Sequence, residues 1–588
     1  MKDFFKMLLA VICGLIITSM LCFLLTFGLM GSLMASSSGT PAMPKSGVLK
    51  IDLSKIVFGE QTQEANPLNN LNTSSLLSGN VSSLETVGIW DAVQAINAAA
   101  EDPAVKFIYI RTDGNGTNVT TLEELRAALE NFRAKSSKPV VTYMEDPAVG
   151  TYYFASVSDK IYMTPHLGAN PRMTGVATQM FFFGDLLKQF DVNVQLIRHG
   201  KYKSAGETLT RNSASPENRE QYQRMMDSMW ETMGPKIAES RGISLEDLDT
   251  ALNELQLNLP QDFIDHKLVD ELLTREELKN KIATLAVEDK YDDVKWMNFP
   301  DYVKARVQPS KARQKIAVIY TEGDIVTGSD KTGVAGERFA SIIAKVRADS
   351  TVKAVVLRVN SPGGSVLAAE QIKTELDLLQ AEKPLIASYG TYAASGGYWI
   401  SNRCEKIFSD ATTLTGSIGV FGMIPDLTKT AKDFAHVGVE NVTTHKHGTM
   451  SSLVHTLDSE EQAYMLRSIE TIYDRFTQIV SEGRGIPQET VDAIGQGRVW
   501  TGADALQINL VDSIGTLEDA IRYAAVAAGD GDLTQWHIKG YPAPPTMMEQ
   551  MMDMMGGKKG NDNVLASAVR HLTQPQILAR LDNEIVIR

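Results

Sequence analysis

Cysteine is nearly absent. Of 588 residues only Cys13, Cys22 and Cys404 are cysteines, and the first two lie inside one long apolar run. Cys404 stands alone in the remainder, so no intrachain disulfide framework exists there. An excess of positive charge is also missing. With 57 basic and 71 acidic residues the formal net charge is -14, and no basic cluster interrupts it, which argues against a nucleic-acid partner. Histidine is scarce too. His445 and His447 have the spacing to share one strand face as metal ligands, but no third ligand lies near them in sequence, so no metal and no cofactor is expected.

At 588 residues the chain is too long for one ordinary core, and two or more domains are expected. Residues 7–34 carry no charge and are long enough to cross a hydrocarbon layer of roughly 30 Å as a helix. A cleaved signal peptide would have an apolar region of only about 7 to 15 residues and a small-residue cleavage site. Leu33-Met-Ala-Ser-Ser is a poor site, so an uncleaved single-pass anchor is expected. Lys2 and Lys6 precede it, and Lys45 is the first positive charge after it. Residues 1–6 are therefore expected in the cytoplasm and the body outside it, in the periplasm. Residues 35–47, rich in Ser, Gly and Pro, read as a flexible tether.

The body is one unit written twice. Asp102-Pro-Ala-Val-Lys-Phe-Ile-Tyr-Ile-Arg111 matches Asp349-Ser-Thr-Val-Lys-Ala-Val-Val-Leu-Arg358, and Ser158-Asp-Lys-Ile-Tyr162 matches Cys404-Glu-Lys-Ile-Phe408. Arg241-Gly-Ile243 then pairs with Arg484-Gly-Ile486, and Leu268-Val-Asp270 with Leu510-Val-Asp512. The offset shortens slowly along the chain, as expected of a duplication with small deletions. The copies are placed at 48–284 and 316–525, joined by a charged linker at 285–315 and followed by an extension at 526–588. Each alternates short apolar runs with amphipathic stretches, the pattern of βαβ units with largely parallel strands. Two α/β domains of one fold are predicted. Strands are expected at 354–359 and 384–389, and helices at 366–382, 215–241 and 459–484; Ser215-Pro-Glu-Asn is a regular helix start.

The copies differ where chemistry would sit. In the second, Thr391-Tyr-Ala-Ala-Ser-Gly-Gly-Tyr-Trp399 puts Ser395 on a turn between a strand and a helix, among small residues that allow a sharp bend and close approach of a substrate. A helix N-terminus there offers free amides to developing negative charge. Ser395 falls opposite Val149, so the first copy lacks this hydroxyl. Asn360-Ser-Pro-Gly-Gly-Ser-Val366 carries Gly363 and Gly364 at a strand-to-helix junction, where backbone amides can face an oxyanion. The first copy has Asp113-Gly-Asn-Gly-Thr117 instead. Conversely, only the first copy keeps Lys203-Ser204-Ala205, within His199-Gly-Lys-Tyr-Lys-Ser-Ala205. A lysine activates a serine only when neutral, which burial at an interface favours. The bland alternatives are a tight turn with a satisfied serine, and drift after duplication.

Asn360-Ser-Pro-Gly-Gly364, Tyr392-Ala-Ala-Ser-Gly-Gly-Tyr-Trp399, Leu414-Thr-Gly-Ser-Ile-Gly419, Lys201-Tyr-Lys-Ser-Ala205 and Arg498-Val-Trp-Thr-Gly502, in this order of function, resemble the signal peptide peptidase A family in its long, duplicated form. The resemblance covers most of the chain. It implies a tandem Clp protease/crotonase-like fold and a serine endopeptidase whose serine and lysine come from opposite copies. By motif it assigns Ser395 as nucleophile, Lys203 as general base, the amides of Gly396 and of Gly363 or Gly364 as oxyanion donors, and Ser417 as support for the lysine. It further implies a homotetramer at the membrane acting on apolar peptides such as cleaved signal peptides. Broader membrane-protein quality control and a catalytically silent peptide-binding scaffold are the alternatives; acyl-CoA chemistry on the same fold is disfavoured by placement outside the cytoplasm. His199 aligns with His445, and retention in both copies favours a structural role. Ala393 and Tyr398 stand where a nucleophile elbow would have glycine and a Ser-x-x-Lys enzyme its lysine. Phe181-Phe-Phe183 and the Met-rich 547–555 read as apolar lining or packing surfaces.

Overall fold

The computed structural model describes residues 41–63, 84–114, 117–169, 171–546 and 576–580, with positions 14, 18 and 549. The expected membrane span and the Met-rich segment thus lie outside the described residues, apart from those single positions. Among the described residues no helix is long and apolar enough to cross a membrane.

The two copies share one order of six strands, which the second copy extends to an eight-stranded sheet by adding Leu414–Gly416 and Val499–Thr501. In the first copy it runs Glu271–Leu272, Lys160–Met163, Val140–Met144, Val105–Arg111, Gly47–Asp52 and Trp296–Asn298, all parallel. In the second it runs Ser513–Ile514, Lys406–Ser409, Leu385–Ala394, Val352–Ser361, Lys315–Glu322 and His537–Tyr541. Central strands such as Val352–Ser361 are buried along almost their whole length, as parallel strands covered on both faces must be. The long helices Pro216–Arg241 and Ser459–Arg484 start at side-chain caps, Ser215 accepting from the Asn218 amide and Asp458 from the amides of Glu460 and Glu461. Both stop at a left-handed glycine, Gly242 or Gly485.

The segment 285–315 is not a bare linker. It carries the edge strand Trp296–Asn298 and the helix Phe299–Arg306, whose Phe299 and Tyr302 are buried in a core shared with Ile316, Val318 and Leu517 of the second copy. The 526–588 extension likewise supplies the edge strand His537–Tyr541. These strands are short and flanked by charge, which hid them from the hydropathy pattern.

A third sheet joins the copies. Its order is Val334–Ala335, Ile325–Val326, Gly363–Ser365, Gln576–Arg580, Val420–Asp426 and Asn193–His199. Only the last strand belongs to the first copy; it pairs antiparallel with Val420–Asp426 from Val420↔His199 to Asp426↔Asn193. Deeper in the interface, Arg358 of the second copy is held between two carboxylates of the first, Glu60 at 2.8 Å and Glu124 at 2.6 Å. Burial raises the carboxyls of Glu124 and of neighbouring Asp410, the latter also through repulsion from Glu124.

Candidate active site

Ser395 sits where the strand Leu385–Ala394 turns into the helix Gly396–Ser401. Its backbone has φ 56° and ψ -112°, a conformation that non-glycine residues avoid and that costs about 1–3 kcal/mol. Surrounding packing holds it there. The Ser395 amide donates to Gly416 O at 2.8 Å. Just beyond it, the Tyr398 hydroxyl donates to Leu510 O at 2.8 Å, and Trp399 lies against Phe476 with ring centroids 4.6 Å apart. The strand Leu385–Ala394 also divides its pairing, giving its first half to Lys406–Ser409 and its last three residues to Leu414–Gly416.

Lys203 arrives from the other copy, four residues past the end of the strand Asn193–His199. Its Nζ lies 2.8 Å from Ser395 Oγ, 3.0 Å from Ser417 Oγ and 3.2 Å from Ser417 O. Lys203 and Ser417 are each 1% exposed and Ser395 is 0% exposed. Ser417 is itself in the left-handed region, φ 50°, with its amide donated to Arg498 O at 2.7 Å. The Leu414-to-Gly419 motif therefore touches both the serine, through Gly416 O, and the amine, through Ser417.

Glycines make this approach possible. A Cβ on Gly497, whose φ is 80°, would stand 2.5 Å from Lys203 Cβ, and one on Gly419 would stand 3.1 Å from Lys203 Cδ. The turn that includes Gln496 and Gly497 is tied to the first copy by the Tyr202 amide, which donates to Gln496 O at 2.9 Å. Arg498 stacks its guanidinium on Tyr202, 4.8 Å from the ring centroid, and on Trp500, 4.4 Å away.

The remaining candidates lie around the serine. Gly363 and Gly364 have φ of 100° and 151°, and their strand packs on the Gly396–Ser401 helix. The Gly363 amide donates to Ser361 Oγ at 3.2 Å. Gly396 occupies the first position of its helix, where an N–H has no intrahelical acceptor. His199 faces elsewhere: its ring stacks on Tyr473 with centroids 3.9 Å apart. His445 and His447 do not share a strand face. Both lie in an irregular, exposed segment, where His447 meets Glu461 at 2.9 Å, and Asp458 completes a cluster of possible ligand atoms that its sequence distance had concealed.

A model of Peptidase family S49 matches the chain twice, at residues 133–288 and 377–529. Protease 4 of Haemophilus influenzae is 35% identical over 451 residues, 74% of this chain and 72% of that protein. The chain belongs to peptidase family S49. Protease 4 of Salmonella typhi is 35% identical over 487 residues, 81% of this chain and 77% of its own length. The chloroplastic serine protease SPPA of Arabidopsis thaliana is 29% identical over 500 residues, 82% and 72%. An S49 chain with both copies matched is a serine-type peptidase with a duplicated mixed α/β domain.

Two elements of this S49 site were not legible from sequence. Glu60 has no apolar or glycine-rich signature around it, yet it accepts from Arg358 and Asn360, just before the glycine turn of the other copy. The strand Gln576–Arg580 pairs antiparallel with Gly363–Ser365 on one side and with Val420–Asp426 on the other. It thus lies in the sheet beside the glycine turn, with Arg580 opposite Gly363 and paired to Asp324 at 3.3 Å.

Proposed function

We propose that this S49 peptidase is a membrane-anchored serine endopeptidase working through a Ser395/Lys203 dyad. The observation that carries the reading is the 2.8 Å contact between Lys203 Nζ and Ser395 Oγ, formed across the two copies and buried. A neutral lysine has two N–H groups and one lone pair. Donation to Ser417 O and Ser417 Oγ leaves the lone pair for the Ser395 hydroxyl proton, and removal from water disfavours the charged amine. Lys203 takes that proton as Ser395 Oγ attacks the peptide carbonyl carbon. The carbonyl oxygen becomes an anion facing the amides of Gly396 and of Gly363 or Gly364, with Gly363 having to turn from Ser361 Oγ to serve. The resulting ammonium protonates the leaving amine, and the C–N bond breaks. Water then gives a proton to Lys203 and attacks the acyl ester; the ester C–O bond breaks as the Lys203 ammonium passes that proton to Ser395 Oγ, releasing the acid and restoring both residues.

The occupied gap between Gly363–Ser365 and Val420–Asp426 supports extended peptides as substrates, recognised by main-chain pairing on both edges. Main-chain pairing discriminates little between sequences. The exposed side chains of Phe181, Phe183, Phe190 and Phe434, the last two with rings 6.0 Å apart, favour apolar segments near a membrane. The reading therefore includes remnant signal peptides, other apolar segments released at the membrane, the anchor at residues 7–34, a periplasmic body and a Clp protease/crotonase-like homotetramer.

Purified protein assayed on a fluorogenic apolar peptide ester across pH tests the dyad. Ser395→Ala and Lys203→Ala are each expected to lose about 10³-fold or more in kcat. His199→Ala should retain turnover. An active Lys203→Ala, or an inactive but folded His199→Ala, would assign the base elsewhere.

A further inference from the structure

The nucleophile strand and the glycine turn are not fastened by the main chain alone. Pairing between Val352–Ser361 and Leu385–Ala394 is regular up to Val359↔Tyr389 and then shifts, resuming only at Ser361↔Ala393. Asn360 sits in that break. Its Oδ1 accepts the Tyr392 amide at 3.2 Å, which ties the residue just before the glycine turn to the residue three before Ser395. Its Nδ2 donates to Glu60 Oε1 at 2.8 Å.

Glu60 comes from the first copy and is 7% exposed. Its other oxygen accepts Arg358 Nε at 2.8 Å, so the carboxylate clamps two residues of one strand, Arg358 and Asn360. Arg358 is fixed in turn by Ser388 Oγ at 3.0 Å, Tyr389 O at 2.9 Å and Glu124 at 2.6 Å. Gly390 has no side chain because one would meet Glu60 Oε1 at 2.8 Å. An amide side chain has two orientations of nearly equal shape. The carboxylate, which only accepts, permits the one that turns the Asn360 oxygen to Tyr392.

We propose that Glu60 is a positioning residue for the reaction, supplied by the first copy and acting through Asn360 to fix the glycine turn relative to Ser395. The inference rests on the Ser395/Lys203 reading. It extends the division of labour between the copies from the base to the oxyanion side of the site. A buried charge cluster that merely stabilises the interface would affect folding without preference for the transition state; a positioning carboxylate affects kcat.

The test uses the full chain with two probes: a fluorogenic apolar peptide, and a peptide boronic acid whose boron accepts a serine oxygen to become a tetrahedral anion. Glu60→Gln keeps the shape but presents an amide that can face Asn360 with either end. It is expected to lower kcat and boronic-acid affinity together by about tenfold, with KM within about twofold. Asn360→Ala should lose at least as much, and adding Glu60→Gln to it should cost no further kcat, since the effect of Glu60 on the site runs through that amide while its contact with Arg358 is read in Tm. If Glu60→Gln fails to accumulate as folded protein, Asn360→Ala carries the test alone, by whether kcat and boronic-acid affinity fall while KM holds. Wild-type kcat and boronic-acid affinity in Glu60→Gln, with or without a lower Tm, would overturn the proposal, as would multiplicative losses in the double variant. Ser395→Ala separates the two levels. If it still turns over, the dyad falls and this inference with it; if it is silent while Glu60→Gln matches wild type, this inference falls alone.

Discussion

Replacing Gly497 by alanine should disable the site without touching either reacting residue. A Cβ at this position would lie 2.5 Å from Lys203 Cβ and 2.6 Å from its Cα and N. Ordinary carbon contacts are about 3.5–4.0 Å, so the Lys203 backbone must retreat by about 1 Å. The 2.8 Å reach of Nζ to Ser395 Oγ has no slack for such a move. A misplacement of about 1 Å costs about 10²-fold in rate, or about 2.7 kcal/mol of transition-state stabilisation. Stability falls as well. The left-handed φ of 80° costs a Cβ-bearing residue about 1–2 kcal/mol, and overpacking adds about 1–3 kcal/mol. Gly485→Ala isolates the conformational part, since Gly485 has φ 65° and nothing within 4 Å of its added Cβ. The assay is kcat on a fluorogenic apolar peptide at a temperature where circular dichroism finds both variants folded. Gly485→Ala should be less stable but turn over normally, and Gly497→Ala should be slow. A folded Gly497→Ala with wild-type kcat would refute the idea that this turn fixes the amine.

Cys404 is buried, and burial pushes its thiol up to about 12; iodoacetamide at pH 8 should therefore leave the Cys404 peptide unmodified in native protein and label it in urea, and rapid native labelling, read by mass, would contradict the packing. Burial works against the charge on Glu461, yet hydrogen bonds from His455, the Asp458 amide and His447 hold its carboxyl down at about 2. An unfolded glutamate titrates near about 4.3, so this stabilisation is complete above that pH and disappears as pH falls through about 2. Glu461→Gln should lower Tm at pH 6, with the gap from wild type closing between those two values; a gap that persists at pH 2 would assign the loss to something other than charge. Leu578→Pro removes an amide from the strand between Gly363–Ser365 and Val420–Asp426. It should lower KM for a peptide that pairs in the same gap, and an unchanged or higher KM would mean that the strand does not compete with substrate.

Sequence made the duplication legible because matching strands kept their apolar runs and matching helices kept their stops, as at Arg241-Gly and Arg484-Gly. It separated Ser395 from Lys203 onto different copies because each motif survives only once. What it could not supply was distance. The meeting of Lys203 with Ser395 depends on the pairing of Asn193–His199 with Val420–Asp426, and neither strand announces its partner. The strand Trp296–Asn298 is three residues long, below any periodic signal. Asp458 and Glu461 join His447 only through the fold of an irregular segment. Glu60 is one acidic residue among 71, and nothing but its contacts distinguishes it.

Under the proposed Ser395/Lys203 dyad neither copy works alone, and the shared sheet must then join the two in exact register. Seven residue pairs align Asn193–His199 with Val420–Asp426. A slip of one residue would shift the strand by about 3.4 Å and turn every side chain to the opposite face. Lys203 follows the last paired residue by only four positions, so such a slip would move it farther than its whole hydrogen bond to Ser395. Register therefore sets the distance between Lys203 and Ser395, and it is enforced beyond the strands themselves. Val194 packs with Phe421 and Met423 on one face, Gln496 O holds Tyr202 past the strand end, and Thr430 Oγ1 donates to Asp191 O at 2.8 Å before its start. Anchors at both ends and along the face leave the strand a single seating, and that seating brings the amine of one copy onto the hydroxyl of the other.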